Sequence, residues 1–251
     1  MCLVLLGVLG LQHATAEMNA SELANEKRER ADEREAREVE KLYSTKPIRF
    51  RMAGRQYVVP ANYFTYKGRD EVDTGNSEGF GFFLFLPDFG GYTKENWRDQ
   101  FDRRRIYVLE VKPVDKNAMI PYSLGGYVKA EPANYGEPRV QFQNIRALLE
   151  EIPSFKLYGL EGYRRKGAGA RGTPGVTWTG MRSNGEFFFF NSSLAPGEPL
   201  RPGLTNPVCQ TQYYSEQEDL FISYFYSQDH IAKWREIDDA IWEKIHSWRT
   251  K

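Results

Sequence analysis

The spacing of apolar residues changes along the chain, and the changes predict its elements. Between Pro47 and Ser227 apolar and polar residues mostly alternate in short runs broken by Gly, Pro, Asn and Asp, the signature of half-buried strands. "PIRFRM" and "RQYVVP" flank Ala53-Gly54 and predict a tight hairpin. "RRIYVLEVKP" at 104–113 predicts a further strand. "VTWTGMR" and "EFFFFNS" flank Ser183-Asn184-Gly185, and Asn-Gly is a strong hairpin signal. "VCQTQYYS" and "DLFISYFYS" predict another pair. The run Phe80–Leu86, "FGFFLFL", does not alternate, so it predicts a central strand buried on both faces. Pro87 ends it, because proline cannot donate to a ladder, and Gly90-Gly91 turns the chain. "PRVQFQNIRALLEEI" at 138–152 predicts a strand running into a short helix. Residues 159–175 and 67–79 read as Gly-containing loops.

At residue 228 the period changes. Ile231, Trp234, Ile237, Ile241, Ile245 and Trp248 recur at intervals of three or four, which predicts an amphipathic helix over 228–249 with Ser227 as its N-cap. Residues 17–46 are mostly helix formers with dense mixed charge, and only Leu23, Val39 and Leu42 offer an apolar stripe. They read as a charged helical segment, either a solvated spacer or a partner-binding arm. The sum is an α+β chain: mostly antiparallel sheet, a long charged N-terminal helix and an amphipathic C-terminal helix that closes a sheet face. Residues 47–251 form the α+β domain, as one body or as two subdomains meeting near 150.

Residues 1–16, "MCLVLLGVLGLQHATA", hold an apolar run that ends on Ala14-Thr15-Ala16, a small-x-small pattern. This reads as a signal peptide cleaved before Glu17, although a basic n-region is missing. The alternative is a short buried segment. The expected location is the periplasm, or a lipid anchor on Cys2 if the true start lies upstream. With Cys2 removed, Cys209 is the one remaining thiol, and no internal disulfide can form.

The 251 residues carry 34 basic and 34 acidic side chains, a balance that argues against nucleic acid or an anionic membrane as general partner. No reaction centre emerges. Asp88-Phe89-Gly90 lacks the companion segments of a kinase and reads as loop punctuation. Gly167-Ala-Gly169-Ala-Arg-Gly172 matches a dinucleotide fingerprint by letter, but a β-type segment follows where a helix should open. His230 and His246 are too far apart to chelate a metal as a helical i,i+4 pair. Cys209 reads as a small core residue rather than a nucleophile. The reading is therefore no enzyme, no cofactor and no metal, although a carboxylate pair could still hide among the many acids. The surface signal is "YGLEGYRRKGAGARG". Here Tyr158, Tyr163, Arg164, Arg165, Lys166 and Arg171 cluster, and tyrosine and arginine dominate interface hot spots. This stretch is the candidate partner-binding site, against the plainer reading of a solvated loop.

Taken in order, the signal segment, "RFRMAGRQYVVPANYF", "GFFLFLPDFGGYT", "RIYVLEV", "NPVCQTQYY" and "LFISYFYSQDHIAKWREID" resemble bacterial envelope proteins encoded beside type VI secretion effectors, in particular the periplasmic lipase-immunity group. The resemblance covers roughly residues 47–245 and rests on ordered strand-and-turn patterns. It implies a non-catalytic inhibitor that binds a toxic phospholipase effector. It carries over no functional residues. The competing reading is an envelope binding or assembly module.

Overall fold

Two-residue turns with positive φ organise the first and last-paired edges of the molecule. In the computed structural model, Pro47–Met52 (β1) and Arg55–Pro60 (β2) pair antiparallel about Ala53 (φ 51°) and Gly54 (φ 72°), as the sequence predicts. Both central residues of this turn type need the left-handed region, which Gly54 enters without penalty. The structure describes residues 27–30, 33, 37, 39–64, 72, 75–97, 103–113, 119–122, 126–129, 142–143, 146–166, 175–195, 197–199, 206–215 and 217–250. The signal segment at 1–16, the fingerprint-like glycines from 167 and Arg171 lie outside them.

Residues 1–42 form one compact unit and 43–251 another. In the first, described residues 27–30, 33, 37 and 39–42 are helical, and Arg37 pairs with Glu33 at 3.4 Å, one helical turn apart. A helix filling 17–46 is not what the described residues establish: helical form ends at Leu42, five residues before β1.

The second unit is built on an eight-stranded antiparallel sheet. Its strands are Phe80–Phe85 (β3), Arg105–Lys112 (β4), Leu149–Leu157 (β7), Leu160–Arg165 (β8), Val176–Met181 (β9), Phe187–Ser192 (β10), Val208–Ser215 (β11) and Leu220–Ser227 (β12). The spatial order is β3-β4-β12-β11-β10-β9-β8-β7, so the sheet draws strands from both sides of residue 150. Met119–Tyr122 (β5) and Gly126–Lys129 (β6) make a separate hairpin. One face of the large sheet carries Phe82, Leu84, Ile106, Val108, Trp178, Phe188, Ile222 and Tyr224, all buried. The C-terminal helix, Trp234–Trp248 (α1), packs there through Trp234, Ile237, Ile241, Ile245 and Trp248, the stripe that its spacing predicts. Burying side chains of this size stabilises the fold by about 1.5–3 kcal/mol apiece.

Several expectations change. The greasy run is not central: β3 is the edge strand. Both its faces are nonetheless covered, because Phe80 and Phe82 face the core while Phe83 and Phe85 pack on Tyr92 from the following turn. Residues 159–175 are not one loop. Leu157 pairs with Leu160 across Tyr158 (φ 56°) and Gly159 (φ 73°), so β7 and β8 form a hairpin of the same turn kind as β1–β2. The 138–152 segment has helical residues at 142, 143 and 146, then enters β7 at Leu149 and stays extended. The terminal helix begins late: Gln228–Lys233 is a 3-10 turn capped by Ser227, whose Oγ accepts from the Asp229 amide at 3.4 Å. Residues 61–63 form a short 3-10 turn.

Candidate functional site

A buried polar network lies between α1 and the sheet. Asp238 projects from the core face of α1 and is 1% exposed. Its carboxylate accepts from Arg182 Nε at 2.7 Å, from the Tyr213 hydroxyl at 2.7 Å and from the Tyr224 hydroxyl at 2.8 Å. Trp242 Nε1 donates to the Tyr213 oxygen at 2.6 Å, and Arg182 also pairs with Glu186. Burial pushes the Asp238 carboxyl above its ordinary range, against the pull of Arg182 and the two hydroxyls. Burial opposes the charge on Arg182, yet the facing Tyr213 and Asp238 hold the guanidinium above its usual value. Asp238, Arg182, Tyr213, Tyr224 and Trp242 are buried and Glu186 is partly exposed, so the network is placed to position the helix on the sheet. Sequence reasoning passed over Asp238. The available signal was its place midway between Trp234 and Trp242, at steps of four on an otherwise apolar helix face.

The residues suggested as a partner site do not stay together. Tyr158 lies at the tip of the β7–β8 hairpin and is 54% exposed. Its carbonyl accepts from Trp234 Nε1 at 3.1 Å, so the helix start holds the tip. Around Tyr158 the structure adds Met181, whose carbonyl accepts from Arg235 Nε at 2.9 Å, and Arg235 itself, which lies over the Trp234 ring. Neither stood out in sequence, because they belong to other elements. Tyr163 is buried against Leu149 and Phe142 on the opposite sheet face, and burial raises its hydroxyl pKa. Arg164 pairs with Glu198 and lies over the Phe155 ring at 5.3 Å. Lys166 donates from Nζ to the Ala147 carbonyl at 3.0 Å. Arg165 contributes backbone to β8. Six strand steps separate Tyr158 from Arg164, about 20 Å. The described part of the stretch is thus a hairpin with an exposed tip, in which Arg164 and Lys166 are internally engaged.

The other edge of the sheet differs. At the start of β3 a cavity of about 440 Å³ opens between Asn76, Ser77, Glu78, Gly79, Phe80 and Gly81 on one side and Leu109, Glu110 and Lys112 on the other. It arises from a bulge. Ser223 and Tyr224 of β12 face Glu110 and Val108, leaving Leu109 as an extra residue that is 51% exposed. Here the β3 and β4 backbones come close: a Cβ on Gly81 would stand 2.5 Å from the Leu109 carbonyl oxygen.

The remaining chemical candidates have structural places. Asp88-Phe89-Gly90 forms the turn after β3, where the Phe85 amide donates to the Gly90 carbonyl at 2.9 Å and the Asp88 carboxylate accepts from the Gly90 amide at 3.3 Å. Cys209 is fully buried in β11 beside Tyr226, and burial pushes its thiol far above the range of a nucleophile. His230 contacts the Arg103 carbonyl at 3.0 Å and His246 contacts Glu218 at 2.8 Å. Among the described residues no three metal-binding side chains converge, and no helix is long and apolar enough to cross a membrane.

No protein-family model matches the chain, and no curated protein matches it in sequence. In fold it is similar to Smlt3025, an immunity protein of the Stenotrophomonas maltophilia type IV secretion system. The TM-score is 0.56 at 16% identity, covering 83% of this chain and 95% of that one. At that identity the likeness is one of fold.

Proposed function

We propose that this protein is an immunity protein that binds a cognate secreted effector and neutralises it without catalysis. The observation that carries the reading is the likeness in fold to an immunity protein over nearly the whole of that neighbour. Two features agree with it. The buried Asp238 network holds α1 to the sheet, and the one described thiol is locked in the core. The sheet also leaves exposed anchors of the kind interfaces use, Tyr158 and Met181 among them.

The finer reading follows the sequence resemblance: a phospholipase as the effector, and the periplasm, behind the signal-like segment at 1–16, as the place of action. The resemblance belongs to type VI secretion and the fold neighbour to type IV. The inhibitory role is common to both, so we take the role as primary and the delivery system as secondary. Of the suggested residues whose side chains are described, Tyr158 and Lys166 are the exposed ones that an effector would reach from solvent.

The test is protection. The secreted effector encoded beside this protein's gene is directed to the periplasm of a sensitive strain, with or without this protein. Survival is expected only with it. Equal killing in both cultures would overturn the reading. A cytoplasmic form lacking residues 1–16 should fail to protect if the site of action is the periplasm.

A further inference from the structure

We infer that the effector docks on the β3 edge as an added strand, with a basic side chain seated in the cavity between Glu78 and Glu110. This rests on the immunity reading and names the surface that would carry it out.

The edge chemistry is the first observation. Within Phe80–Phe85 there is no charge and no proline, and among the described residues β3 pairs with β4 alone, apart from the turn contact of Phe85 with Gly90. Proteins ordinarily blunt such edges with charge, proline or bulges, since unpaired amides and carbonyls template another strand. An edge left without charge or proline suits a peptide that adds to the sheet through main-chain hydrogen bonds and takes specificity from side-chain pockets.

The second observation is that a pocket lies where such a side chain would arrive. About 440 Å³ is near the lower end for small-ligand sites, roughly 300–1,000 Å³, and is open enough for a long side chain. Leu109 supplies an exposed apolar wall, and Gly79 and Gly81 present bare backbone. The rim carries Glu78, Glu110 and Lys112. Lys112 Nζ is taken up by Glu110 at 2.8 Å, while Glu78 is exposed and has no ion pair among the described residues. Among the described rim residues the surplus charge is negative. The matching occupant has an apolar stem and a cationic head, which describes arginine or lysine.

Charge also decides against a second copy of this chain. Antiparallel pairing of two β3 edges, centred on Phe80–Phe85, brings Glu78 of one copy opposite the Pro87-Asp88 corner of the other. That juxtaposes like charges and places a residue without an amide proton in the ladder.

The test uses the full-length protein and the purified effector from the protection experiment. Glu78→Lys and Leu109→Asp both change exposed side chains, so melting temperatures should stay at the wild-type value. Each should weaken binding about tenfold in calorimetric titration, and more when combined. Hydrogen exchange at the β3 amides that neither β4 nor the Gly90 carbonyl engages should slow in the wild-type complex. Wild-type affinity in both variants, with unchanged exchange along β3, would overturn this inference while leaving the immunity reading intact. Weakened binding by Tyr158→Ala alone would move the dock to the opposite edge. If no effector is neutralised or bound by the wild type, both fall together.

Discussion

The two edges of the eight-stranded sheet are held by the same helix and finished in opposite ways. β7 is blunted. Its exposed positions carry Glu150, Glu151 and Lys156, and Lys156 lies 3.5 Å from Glu151 and 3.8 Å from Glu161. Between the pairs Glu151–Tyr163 and Lys156–Glu161, four residues of β7 face Gly162 alone. That wide bulge takes in Pro153, where no ladder hydrogen bond is needed, and folds Phe155 onto Trp178. β3 has neither charge nor proline along its length, and its register against β4 shifts once, between Phe80 and Phe82. The difference separates an edge built to meet water from one whose exposed backbone awaits a partner. Stability cannot be the reason for it, because α1 secures both. Its first residue, Trp234, stacks on Phe188 at 5.3 Å and bonds the β7–β8 tip. Its last, Trp248, packs edge-on against Phe82 and Tyr63 at 4.9 Å.

The largest effect should come from cutting the first anchor. Trp234 is 1% exposed, so Trp234→Ala should cost about 3–5 kcal/mol, measured by denaturant unfolding. Hydrogen exchange should accelerate in β7–β9 more than in β3–β4. A loss under about 1 kcal/mol would mean that the helix does not hold that edge. Gly180 sharpens the same point. It lies on the core face beneath Trp234, and a Cβ there would come within 3.0 Å of the indole and 2.9 Å of Leu160. Gly180→Ala should therefore cost about 1–3 kcal/mol through overpacking. Little change would show that the Trp234 ring has room to move.

How much of this contrast could be read in the sequence follows from what each edge depends on. Local signals sufficed where a turn and its flanking alternation lie together, as at Ala53-Gly54 and Ser183-Asn184-Gly185, and where a stripe repeats over four turns, as in α1. They failed at β7–β8. There "LYGLEGY" holds a turn in Tyr158-Gly159, but the glycine-rich stretch just beyond it reads as loop throughout. They failed also for the position of β3: a uniformly apolar run reports burial on both faces but not the number of neighbours. The cavity was invisible because its walls come from two strands and one extra residue, Leu109, whose displacement depends on pairing with β12. The proposed site residues were chosen by composition, and composition does not distinguish Tyr158 at a tip from Tyr163 in a core.

Removing the blunting devices should alter association more than folding. Glu150→Val, Glu151→Val and Lys156→Val together strip the charges from β7. These ion pairs are largely exposed, so stability should move by no more than about 1 kcal/mol. The bare edge should nevertheless self-associate at high concentration, as read by light scattering or sedimentation, whereas wild type should not. A variant that stays as dispersed as wild type would mean that the bulge and Pro153 protect the edge without help from charge.

The smallest effect concerns the helix end beside β3. Glu218 accepts from Arg249 at 2.9 Å, contacts His246 at 2.8 Å, and offers its backbone carbonyl to Arg55 at 3.0 Å. It thereby ties the β11–β12 turn to α1 and to the β1–β2 hairpin. Partial burial pushes its carboxyl up, but the Arg249 hydrogen bond and the His246 charge prevail and hold it below the ordinary 4.5. A carboxylate depressed by folding contributes stability that is present above the unfolded value and lost as pH falls through the folded one. Melting temperature should therefore drop on acidification from about 4.5 downward, and Glu218→Gln should flatten that limb while lowering stability near neutral pH by under about 1 kcal/mol. Hydrogen exchange should locate the acid loss at the C-terminal turn of α1 and the β1–β2 hairpin, with the Trp234 end unmoved. If the acid limb is the same in Glu218→Gln as in wild type, other carboxylates govern it. The anchor beside the open edge would then rest on Trp248 packing and on the Thr250 amide, which donates to the Gln56 carbonyl at 2.9 Å.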